Sequence, residues 1–138
     1  MANNKSIQKK SSALRQRRKK VTKQVISGHV YIRSTFNNVN ITITDEGGNT
    51  ICWSSAGSVG FKGTKKSTPY AATQTAKTVI EKAKEFGLEK ADITVTGVGN
   101  GREAAVRAFA GSGISITGLR DATPIPHNGC RAKKPRRV

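Results

Sequence analysis

The last eighteen residues, Asp121-Ala-Thr-Pro-Ile-Pro-His-Asn-Gly-Cys-Arg-Ala-Lys-Lys-Pro-Arg-Arg-Val138, limit what this chain can fold into more than any other stretch. Pro124, Pro126 and Pro135 each fix φ and remove a backbone donor, so the segment can neither continue a helix nor sit inside a sheet. It is expected to run extended over a surface. Arg131, Lys133, Lys134, Arg136 and Arg137 give it five cations with no carboxylate after Asp121. An anionic partner is needed to hold so many like charges close together, and a polyphosphate such as RNA meets that need. Any packed core must come from upstream.

Charge divides the 138 residues into three parts. Residues 1–23 hold nine Lys or Arg and no acid, among them Arg15, Arg17, Arg18, Lys19 and Lys20. The remaining eleven cations face all eight carboxylates, so the formal charge of +17 leaves only +3 on the middle of the chain. The chain is therefore expected to be a basic N-terminal arm over 1–23, one domain over 24–121 and a basic tail over 122–138. Its length allows one small core and no second domain. Polar, like-charged arms of this kind are expected to order only when phosphates neutralise them.

The acid-free start has no apolar stretch after it, so a secretory signal is not expected, and no run of about 18 apolar residues is present to cross a membrane. The same composition also fits an organelle transit peptide. Cys52 and Cys130 lie far apart and form no Cys-x-x-Cys pair, which suits a reducing cytoplasm.

Between the arms, Val30 and Ile32 alternate with His29, Tyr31 and Arg33, and after Asn37-Asn38 the residues Val39, Ile41 and Ile43 alternate with Asn40, Thr42 and Thr44. Two half-buried strands are predicted. Asp45-Glu-Gly-Gly-Asn49 reads as a hairpin turn into a third strand, Thr50–Ser55. Ala56–Lys66 reads as a glycine-punctuated basic loop. Thr68 and Pro69 then open a long helix, with Ala72, Ala76, Val79, Ile80, Ala83 and Phe86 on its apolar face and Gly87 as its stop. A strand over 91–96, a short helix over Arg102–Ala110 and a strand over Ile114–Leu119 complete the order βββαβαβ. Right-handed crossovers would make this an α/β fold with a mixed five-stranded sheet.

Three stretches invite a chemical reading. Gly57–Lys66 can bring backbone N–H groups close to phosphate, with Lys62, Lys65 and Lys66 beside a helix N-terminus. It is not a Walker A loop, because Gly63-Thr64-Lys65 has the wrong order; the alternative is a flexible crossover with solvated lysines. Gly97-Val-Gly-Asn-Gly-Arg102 fails the dinucleotide fingerprint at Arg102. Its Asn100 is expected to cap the helix, and Arg102 and Arg107 either contact RNA backbone or belong to a plain strand-to-helix turn. His127-Asn-Gly-Cys130 offers a His and a Cys, but the only further ligands would be His29 and Cys52, both in strands, so no metal is expected. Asn128-Gly129 reads as a tight turn, with His127 and Arg131 as donors to phosphate or base.

Catalysis has little support. A metal-dependent nuclease needs converging carboxylates, whereas Asp45 and Glu46 lie in a turn, Glu81, Glu85 and Glu89 follow the long helix, and Asp92, Glu103 and Asp121 are scattered. Phe36, Phe61 and Tyr31 could stack on bases, but Trp53 and Phe86 read as core, so a stacking platform for single strands is not indicated.

Gly28-His-Val-Tyr-Ile-Arg-Ser-Thr-Phe-Asn-Asn38, Trp53-Ser-Ser-Ala-Gly57, Gly60-Phe-Lys-Gly63, Ser67-Thr-Pro-Tyr-Ala-Ala72, Gly101-Arg-Glu-Ala-Ala105 and Asp121 to Arg131 together closely resemble the ribosomal small-subunit protein eleven family, in its bacterial and plastid form. The resemblance spans about residues 22–138. It implies a ribonuclease-H-like fold without the nuclease carboxylates, and no cofactor or small-molecule substrate. It also implies a place on the platform of the small subunit, bridging helices of 16S-type ribosomal RNA beside the cleft where messenger RNA pairs with the rRNA 3′ end. Small-subunit proteins seven and eighteen would be neighbours, with initiation factor three nearby. Ala132 departs from the family where proline is frequent, and Val98-Gly-Asn100 varies the usual loop.

RNA contacts are accordingly expected from the five N-terminal cations named above, from Asn37 and Asn38, and from Gly60, Phe61, Lys62, Gly63, Lys65 and Lys66. Arg102, Arg107 and Arg120, then His127, Asn128, Gly129 and the five tail cations, complete the set. A sequence-nonspecific RNA-binding chaperone is the rival reading, and a nuclease the enzymatic one.

Overall fold

The computed structural model of the chain describes residues 23–137. The expected N-terminal contacts Arg15, Arg17, Arg18, Lys19 and Lys20 lie outside the described residues. Five strands form one sheet in the order β3-β2-β1-β4-β5: β1 (Ser27–Ser34), β2 (Val39–Asp45), β3 (Thr50–Ser55), β4 (Lys90–Gly97) and β5 (Ser115–Asp121). The helices are α1 (Ala56–Val59), α2 (Pro69–Glu85) and α3 (Arg102–Ala110), with a 3-10 turn over Gly63–Ser67. The mixed α/β sheet and its βββαβαβ order are as the sequence predicts, with two short helical turns added inside the basic loop.

The alternation in β1 and β2 decides which side is covered. Val30, Ile32, Val39, Ile41 and Ile43 are fully buried, joined by Ile93 and Val95 from β4. α2 lies across β2 and β3, and α3 packs on β1, β5 and α2, so both long helices cover the same face. Ala72, Ala76, Val79 and Ala83 let α2 approach closely, while Phe109 of α3 is the largest fully buried side chain. α2 starts where Thr68 Oγ1 accepts from the Ala71 amide at 3.3 Å, with Pro69 in its first turn. It ends at Phe86, after which Gly87 takes φ +79°.

Two expectations are corrected. Trp53 is not core: Cys52 and Ser54 point under α2, so Trp53 faces the uncovered side and is 59% exposed. Asn100 does not cap α3; the cap position is Gly101, which supplies no side-chain bond. α1 was invisible to periodicity because four residues carry no apolar period. Reciprocal bonds make it, Ser58 N to Ser55 Oγ at 3.2 Å and Ser55 N to Ser58 Oγ at 2.9 Å, and Gly60 at φ +112° ends it.

Candidate nucleic-acid interface

Sheet direction gathers the candidate residues. β1 and β3 are each antiparallel to β2, and β4 and β5 are parallel to β1, so β1, β3, β4 and β5 all point the same way. Their C-terminal ends share one edge, where ligands of open α/β sheets characteristically bind. Four connections leave there: the turn at 35–38, the basic crossover from Ala56, the glycine loop after Gly97 and the tail from Ala122.

The turn is internally braced. Thr35 N donates to Asn38 O at 2.8 Å, Asn38 N to Thr35 Oγ1 at 3.0 Å, and Asn38 Oδ1 accepts from Val39 N at 2.9 Å. Asn38 is thereby committed to the turn, whereas Asn37 and Phe36 project into solvent.

In the crossover, the Phe61 and Tyr70 rings meet edge to face at 5.9 Å, tying the loop to the start of α2. Lys62, Gly63 and Lys65 are exposed and Lys66 half-buried. None of the three lysines belongs to an ion pair among the described residues. Three uncompensated cations beside a helix N-terminus favour an anion.

The glycine loop is a packing device. A Cβ on Gly97 would lie 2.1 Å from Ser34 O, and one on Gly101 would lie 2.6 Å from Val39 Cγ2 and 2.9 Å from Ala72 Cβ. These glycines let the loop close onto β1 and α2.

Arg102 fastens the root of the tail. Its guanidinium donates to Gly97 O, to the Asp121 carboxylate, and to Thr123 Oγ1 at 3.3 Å. Asp121 Oδ1 in turn accepts from Thr123 Oγ1 at 2.6 Å and Thr123 N at 2.9 Å, and Ala122 N donates to Val95 O at 2.9 Å. The Thr123 hydroxyl first, then its amide, then Arg102 hold the Asp121 carboxyl at about 2, below the usual value. The acid about twenty residues beyond the glycine loop thus meets Arg102, and sequence spacing alone carried no sign of that pairing.

Beyond Thr123 the tail runs to Arg137 without helix or strand, and His127, Asn128, Gly129, Arg131, Lys133, Lys134, Arg136 and Arg137 are all exposed. Asn128 adopts the left-handed φ of 59° within a bend, where the sequence predicts a tight turn. Two candidates stand apart: Arg107 pairs with Glu103 at 3.2 Å on the outer side of α3, and Arg120 donates to Asp92 at 3.0 Å on the uncovered sheet face. Among the described residues no group of three His, Cys, Asp or Glu side chains could hold a metal ion. Burial raises the Cys52 thiol to about 11.

A sequence model of the family described as ribosomal protein S11 matches residues 28–137. The small ribosomal subunit protein uS11 of Nautilia profundicola is 55% identical over 123 residues, 88% of this chain and 95% of that relative. The chain belongs to the ribosomal protein S11 family.

Proposed function

We propose that this chain is a structural, non-enzymatic constituent of the small ribosomal subunit that binds 16S-type ribosomal RNA through the end of its sheet where four connections converge. The observation that carries this reading is the convergence itself: Lys62, Lys65 and Lys66, without an ion pair among the described residues, and the root of a five-cation tail leave the same edge. Lys and Arg supply affinity through phosphates, and the rigid placement of loop and tail reads RNA shape. Two basic elements on one rigid end suit the bridging of separate rRNA helices on the platform, beside the messenger RNA cleft, with proteins seven and eighteen and initiation factor three as neighbours.

The tail is assigned the role of a clamp that the Arg102–Asp121–Thr123 joint aims at the RNA. Deleting residues 124–138 is expected to lower incorporation into small subunits in competition with the full-length chain. Equal incorporation would remove the clamp role, and equal affinity for unrelated RNAs at physiological salt would favour a nonspecific chaperone instead.

A further inference from the structure

No element among the described residues covers the sheet face opposite the helices, and its side chains form a register-matched row. Trp53 pairs with Thr42, Thr42 with Tyr31, Tyr31 with Thr94 and Thr94 with Arg120, one residue from each strand. Trp53 is 59% exposed and Tyr31 44%. They stand two strands apart, about 10 Å, with a threonine between them. Rings separated by a hydroxyl do not make the contiguous apolar centre that a protein partner would bury. Each exposes ring surface on which a planar base can stack, with His29 tilted beside Tyr31 at 6.4 Å, and base–aromatic stacking tolerates any sequence.

The charges point the same way. Arg33, exposed at the end of β1 next to the turn at 35–38, has no ion pair among the described residues. Among the described residues the one carboxylate on the face, Asp92, accepts from Arg120 at 3.0 Å and lies 3.6 Å from His29 Nδ1. The face therefore meets a polyanion without an uncompensated negative charge, and Arg33 joins it to the phosphate-gathering end.

We propose that this face holds an unpaired stretch of the subunit's ribosomal RNA, with bases stacked on Trp53 and Tyr31 and phosphate held by Arg33. The proposal rests on the rRNA-binding reading and adds a second, base-contacting surface to it.

The test uses small subunits assembled with the full chain, either wild type or carrying Trp53→Ala and Tyr31→Ala, probed with base-specific reagents. Expected is equal occupancy of the chain, with a short run of unpaired rRNA bases becoming reactive and Trp53→Phe restoring their protection. Trp53 is the only tryptophan, so its emission reports on this face alone. Single-stranded oligouridylate is expected to quench it saturably in the free chain, a duplex of equal length to quench it less, and Tyr31→Ala to weaken binding roughly 5- to 100-fold. Equal occupancy with unchanged rRNA reactivity would overturn the face while leaving the loop-and-tail interface standing. So would reactivity changes seen only with messenger RNA bound, or cross-links from position 53 to a protein. Absence of the wild-type chain from washed subunits would overturn the wider reading and the face with it.

Discussion

The guanidinium of Arg102, at the start of α3, donates to the carboxylate of Asp121, at the end of β5. Through Thr123 the same joint reaches the glycine loop, since Gly97 N donates to Thr123 Oγ1 at 3.2 Å. Arg102→Met is expected to speed amide exchange at Ala122 and Thr123 while leaving exchange in β1 and β2 unchanged, and to reduce incorporation into small subunits. Unchanged exchange at the tail root would remove the joint from the account.

Acid should act on two carboxylates. The Lys23 ammonium, 2.8 Å away, and then Asn49 hold Asp45 well below the usual carboxylate range, and Asp121 is held at about 2. Both values are depressed on folding, so their contribution is fully present above the unfolded carboxylate value of about 3.9 and is lost as pH falls through the folded values. The thermal midpoint is expected to hold between about pH 5 and 7 and to drop below about pH 4. Asp45→Asn with Asp121→Asn should lower the midpoint at neutral pH and flatten that drop.

Core and surface should separate cleanly in urea denaturation. Phe109 is fully buried between α3 and the sheet, so Phe109→Ala should cost about 3–5 kcal/mol. Leu119 is 62% exposed, and Leu119→Ala should stay within about 0.5 kcal/mol.

Gly97 combines φ +93° with a Cβ position 2.1 Å from Ser34 O. Gly97→Ala should therefore cost more than the roughly 1–3 kcal/mol of backbone strain alone. Gly48→Ala, at φ +83° with open space around it, isolates the strain component. Equal costs at the two positions would show that the loop does not press on β1.

Much of this was legible in the sequence. Val30, Ile32, Val39, Ile41 and Ile43 announced their strands because an apolar residue at every second position has one covered face, and Thr68-Pro69 announced α2 because cap and first-turn chemistry are local. Trp53 departs from the core expectation because in Thr50–Ser55 both alternating faces carry an apolar residue, and the face under α2 holds the small Cys52 and Ser54. Convergence on one edge could not be read from any single stretch, since it follows from the relative directions of β1, β3, β4 and β5. The pairing of Arg102 with Asp121 was hidden for the same reason.

The loop lysines should matter for binding and not for folding. Replacing Lys62, Lys65 and Lys66 by alanine is expected to leave the thermal midpoint unchanged. The salt dependence of RNA binding should become shallower by about 0.7–0.9 in log–log slope for each phosphate contact removed. An unchanged slope would take the crossover out of the interface.

The central claim, a ribosomal RNA-binding constituent held by many fixed contacts, is tested most directly by sucrose-gradient sedimentation of a lysate carrying the tagged chain. Each fraction is quantified by mass spectrometry before and after a high-salt wash. One copy per small subunit, surviving the wash, is the predicted result. Substoichiometric chain, stripped by salt and spread over all RNA, would contradict it.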